Sequence, residues 1–259
     1  MVGFDFPIGI PAAYACLAGV TEFKSFLREL GDGSWAYFYS VATVPTEISL
    51  RRPFYPFRPG GTRQVHLLNA LAVHSIDELR RKCEREQPGR RAACPLFWTL
   101  GANQVGKGAI VGWRDVLAPA LNNRRDVSLW PFDGDFHGLL QPGKIVIAET
   151  YPAERCGWLL PAIKGKGKQE VRRAIGPHLT EWAASLGLAS EPALRGMIEE
   201  GFPEGDDAFD TLAGLFGMVE VALGRRKSGE PSEDRIRNVE GWILGQRSIT
   251  KAESHKSRL

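Results

Sequence analysis

Asp207 and Asp210 stand three residues apart in the stretch EGDDAFDTLAGLFGM, residues 204–218. On a helix that spacing puts both carboxylates on one face, where two acids can hold a divalent cation. A plainer role competes. Acids in a first helical turn offset the positive end of the helix dipole, each by roughly 0.3–1 kcal/mol, and aspartate is a good N-cap. Two further acids follow runs of strand character: Asp5 comes after VGF, and Glu149 closes KIVIAE. Ligands of open α/β sheets bind at the carboxyl ends of strands. Two strand-end acids with a helix-borne pair form the set that a two-metal phosphodiester hydrolase uses. Its carboxylates surround two cations about 3.5–4 Å apart, one activating water and one stabilising the leaving oxygen. On this reading Asp5, Glu149, Asp207 and Asp210 are catalytic, and Asp5, Glu149 and Asp210 bind Mg2+ or Mn2+. Each acid taken singly has a structural alternative. Asp5 fits a turn or cap, Glu149 an ion pair with lysine or arginine, and Asp206 an exposed cap.

Other chemistry has weaker support. The run GANQVGKG, residues 101–108, satisfies G-x-x-x-x-G-K, but Gly108 replaces the hydroxyl residue that a nucleotide P-loop needs for Mg2+. Its glycines then serve close backbone packing, with Lys107 facing solvent or a polar pocket. Five histidines lack metal-ligand spacing, and no G-x-S-x-G or H-E-x-x-H occurs. The net charge of +3 does not by itself argue for nucleic acid, yet the basic residues cluster in RRKCEREQPGRR, KGKGKQEVRR and GRRK. Such runs are usually solvated faces, with phosphate contact as the alternative. The phosphate-binding candidates are Lys107, Lys164, Lys166, Lys168 and Arg172. Aromatic residues around 35–39 and 54–57 are candidates for stacking on bases.

These residues need a scaffold, and 259 residues are enough for a substantial core. Residues 2–6 read as a short buried strand ended by Pro7 and Gly9, and residues 12–30 as a helix stopped at Gly31. Residues 35–61 are aromatic and punctuated by proline: a strand or ordered lid, then a loop. A helix is expected around 75–86, with Ser75 and Glu78 as a capping box, and another ending before Pro119. The β-branched run 145–147 is the clearest strand. Helices follow over 176–187 and 207–223, then a polar linker and a last ordered element, VEGWILGQ. The expected organisation is one domain over residues 1–246, with an inserted aromatic and basic region at about 35–95, and a flexible tail at 247–259. Four cysteines without C-x-x-C spacing exclude a cysteine zinc site. No apolar run approaches the roughly 18 residues of a membrane span. The apolar start lacks a basic leader and is interrupted by Asp5 and prolines, so the expectation is a cytoplasmic protein with no membrane partner.

GFDFPIGIP, AETYPAE and GDDAFDTLAGL, in this order, resemble the DUF429 family of predicted nucleases. The resemblance implies an α/β, ribonuclease H-like mixed sheet with flanking helices. It matches Asp5, Glu149 and the Asp207/Asp210 pair to the family's acidic positions. In the family pattern a hairpin of strands bearing another aspartate precedes the first of these motifs, so the first strands of the sheet are expected to be missing. Thr211 stands where the family often has alanine. Two functions follow: a Mg2+- or Mn2+-dependent nuclease or phosphodiesterase, or a non-catalytic nucleic-acid- or partner-binding protein on the same scaffold. A nucleotide-binding enzyme using residues 101–108 is a third.

Overall fold

Two apolar cores form, and the chain divides around them. Met1–Glu149 with Glu230–Ile243 make one compact unit, and Thr150–Gly229 with Leu244–Arg247 make another. The computed structural model describes residues 1–56, 63–87, 91–99, 105–152 and 165–247. The expected tail beyond Arg247 and the first four residues of GANQVGKG lie outside them.

In the first unit the β-branched run makes β3 (Ile145–Glu149) the central strand of a small sheet. β1 (Val2–Phe4) and β2 (Val127–Leu129) flank it, both parallel to it. The ribonuclease H-like mixed sheet is therefore corrected: the described strands form a short, all-parallel sheet in a mostly helical chain. The reason is visible between Phe4 and Val127. Residues 35–56 are aromatic enough for strands, but Pro45, Pro53 and Pro56 interrupt any ladder. The segment instead folds into short turns that bury Trp35, Phe38, Phe54 and Tyr55 in the core. The region expected as an insertion thus supplies much of the interior.

The helices of this unit are short. The expected 12–30 helix breaks into α1 (Ala12–Ala18) and α2 (Phe23–Glu29), because Gly19 takes a left-handed conformation and caps α1. α3 spans Gln64–Ala70. The expected helix at 75–86 is two 3-10 turns, Ile76–Leu79 and Lys82–Glu84, with extended Arg80 and Arg81 between them. α4 (Val105–Val111) continues through a π-helical turn, Gly112–Leu117, into α5 (Ala118–Asn123). Pro119 does not stop this run; it sits at the second position of α5, directly after the π-helical turn. A Cβ on Gly106 would sit 2.7 and 2.8 Å from the Leu96 and Trp98 carbonyls, so this glycine of the GANQVGKG run does serve close packing. α6 (Phe136–Leu139) lies between β2 and β3.

The second unit is helical: α7 (Gln169–Ser185), α8 (Pro192–Glu200) and α9 (Asp207–Ala222). Ile175, Leu179, Trp182 and Leu186 recur at three- and four-residue steps and form the buried stripe of α7. They meet Ile198, Phe209 and Phe216, with Trp182 edge-on to Phe216 at 5.0 Å. Each such large side chain contributes about 1.5–3 kcal/mol by burial. No helix among the described residues is long and apolar enough to cross a membrane.

Candidate functional site

Glu149 closes β3 in register with Phe4, the residue before Asp5, so the two acids do lie at the carboxyl ends of neighbouring parallel strands. There their fates separate. Asp5 is exposed. Glu149 is only 4% exposed and faces Arg81, which is fully buried. Arg81 Nη1 donates to Glu149 Oε2 at 2.7 Å, Nη2 donates to Oε1 at 2.6 Å, and the Ile8 amide donates to Oε2 at 2.6 Å. Bidentate arginine–carboxylate pairs of this kind are among the stronger polar contacts in proteins.

Arg81 reaches further. Its Nε and Nη2 contact Glu84 Oε1 at 2.9 and 2.8 Å, while Glu84 Oε2 accepts the Arg81 amide at 2.9 Å. Nη1 also reaches the carbonyls of Ile8 (3.2 Å) and Glu240 (3.1 Å). Glu240, 2% exposed, accepts the amides of Ala12 (2.9 Å) and Lys82 (2.6 Å) on its two carboxylate oxygens. The backbone closes in as well: a Cβ on Gly9 would overlap the Glu240 carbonyl, and one on Gly241 the Ile8 carbonyl. Four distant segments are therefore pinned at one guanidinium. Burial pushes the Glu149 carboxyl above the usual carboxylate range, and Arg81 opposes the rise.

The helix-borne acids belong to the second unit. Asp206 precedes α9 but makes no side-chain capping bond, contrary to the capping role expected of these aspartates. Asp207 is exposed. Asp210 is paired with Lys166 through Oδ2, and its buried Oδ1 has no hydrogen-bond partner among the described residues. Burial raises the Asp210 carboxyl, with Lys166 pulling it back. Asp206 lies 3.9 Å from the same ammonium.

The expected cations divide. Lys107 and Lys168 are exposed, Lys166 serves Asp210, and Lys164 lies outside the described residues. Arg172 is not available to phosphate. It is buried, and its guanidinium caps the end of α8 through the carbonyls of Gly201 (3.1 Å) and Phe202 (2.9 Å) and also binds that of Lys166 (2.7 Å). The stacking candidates are corrected too. Trp35, Phe38 and Phe54 pack inside the first core, Phe57 lies outside the described residues, and Tyr37 is the member of the group at the surface.

Arg81 is the residue the sequence reading missed. It sits inside a basic run read as a solvated face, and the one local hint is its i,i+3 spacing to Glu84. The expected Mg2+ or Mn2+ finds no fitting set of donors at the strand ends, because both oxygens of Glu149 are committed to Arg81 and Ile8. Among the described residues no group of three or more His, Cys, Asp or Glu is placed to hold a metal ion.

The chain matches no family model, no curated protein and no solved structure. The functional reading therefore rests on the geometry and on the order of the quoted motifs.

Proposed function

We propose that this chain is a non-catalytic binding protein, and that nucleic acid is the partner class its exposed cations favour. The observation that carries the first part is the saturation of Glu149. A two-metal hydrolase needs its strand-end carboxylate open to cations, and here that group is buried against a guanidinium. Lys107 and Lys168 support the second part as exposed cations. Fluorescence anisotropy with single-stranded DNA and RNA across a salt series tests it. Affinity should fall steeply with salt, and Lys168→Glu should reduce the slope by about 1. Binding that ignores both salt and Lys168→Glu would remove nucleic acid as the partner.

A metal-dependent phosphodiester hydrolase is the second reading, favoured by one observation: the buried Oδ1 of Asp210, without a partner among the described residues, with Asp206 and Asp207 beside it in sequence. Calorimetric Mn2+ titration of wild type, Asp210→Asn and Glu149→Gln separates the two. The first reading expects no Mn2+ binding that depends on these acids. Binding lost in both variants would restore the hydrolase.

Membership of the DUF429 family is likewise a proposal. Ile8 and Gly9 of GFDFPIGIP, Glu149 of AETYPAE, and Glu240 and Gly241 of VEGWILGQ all meet at Arg81. Two of the three motif segments thus share one structural joint, while GDDAFDTLAGL belongs to the second unit. The proposal includes a cytoplasmic setting, consistent with Cys16 and Cys94 as free thiols.

A further inference from the structure

We infer that the pocket at the strand ends is a cation site whose occupant is the chain's own Arg81 guanidinium, and that a free guanidinium ion enters it once that side chain is shortened. The inference rests on the reading of Glu149 as a structural carboxylate. Five oxygens converge on the Arg81 head group: both of Glu149, Oε1 of Glu84, and the carbonyls of Ile8 and Glu240. Glu84, Glu149 and Glu240 are each at most 4% exposed, so these acceptors have no water to turn to when the cation is removed. The walls resist collapse, because Gly9 and Gly241 already hold the backbones of Ile8 and Glu240 at closest approach. The acceptors are served by a planar fork of N–H donors. A guanidinium ion offers that shape, and a compact ammonium does not.

The test is thermal unfolding of Arg81→Ala, with and without about 50 mM guanidinium chloride, far below a denaturing concentration. The variant should lose about 10 °C in Tm, and the added ion should return about half of that. Equal concentrations of sodium or tetramethylammonium chloride should return nothing, and wild type should not respond. The refolding yield of Arg81→Ala from urea serves if the variant does not fold when expressed. Guanidinium should raise that yield. A response to guanidinium no greater than to sodium, in Tm or in refolding yield, overturns the inference. Wild-type Mn2+ binding lost in Glu149→Gln would instead overturn the reading of Glu149, which keeps the two failures apart.

Discussion

Glu149 and Asp210 enter the sequence as equals, two acids in motifs of similar strength, and the fold treats them differently. Glu149 is buried and saturated by Arg81 and the Ile8 amide. Asp210 keeps 20% of its side chain exposed, holds a lysine through one oxygen and, among the described residues, finds no partner for the other. The contrast teaches that a carboxylate's availability is set by what is brought to it from elsewhere in the chain. A carboxylate enclosed with a bidentate cation is a joint of the fold, whereas a partly exposed one at a helix start holds a single lysine.

Removing each acid's cation sharpens the contrast most. Arg81→Met leaves Glu84, Glu149 and Glu240 buried without it and should cost about 3–5 kcal/mol in urea unfolding. Lys166→Met, at a partly exposed pair, should cost about 0.2–1 kcal/mol. Similar losses for the two would break the comparison. The backbone crossing at Arg81 gives the next effect. Gly9→Ala meets the Glu240 carbonyl from a positive φ of 134°, whereas Gly134→Ala, at φ 135°, meets nothing within 4 Å. Gly134→Ala should show backbone strain alone, about 1–3 kcal/mol, and Gly9→Ala a clearly larger loss in the same assay.

The smallest effect is in pH. The Glu149 and Asp210 carboxyls are both raised by burial, so each holds its proton more tightly folded than unfolded. Their contribution to stability is full below the ordinary carboxylate range and is lost as pH rises through the raised, folded value. Glu149→Gln should flatten that limb of a Tm-against-pH curve, and Asp210→Asn should flatten it less. A limb unchanged by Glu149→Gln would show that this carboxyl does not titrate there.

Local signals were legible and long-range ones were not. The β-branched run at 145–147 marks β3 because such side chains fit a pleated, buried strand. Small and apolar residues after Asp207 mark α9 equally well. The aromatic segment 35–56 misleads, since ring content says nothing about whether prolines will permit a ladder. At Arg81 the difficulty is distance: its partners lie 68 residues away at Glu149 and 73 at Ile8. A linear charge pattern shows neighbours, and Arg81 has lysine and arginine for neighbours. Arg172 hid in the same way among lysines, with its acceptors 29 and 30 residues downstream.

The return of the chain to the first unit at Glu230 has a consequence for synthesis. Arg81 leaves the ribosome 159 residues before Glu240, whose carbonyl and neighbouring glycine complete its surroundings. Until that last stretch emerges, the surroundings of Arg81 lack one wall, while the helices α7 to α9 between them are being made. Domains fold as they appear during translation, so the three helices α7 to α9 of the second unit are complete before the first unit closes. Final closure of the first unit is then a late event that a pause or truncation ahead of residue 230 would leave undone.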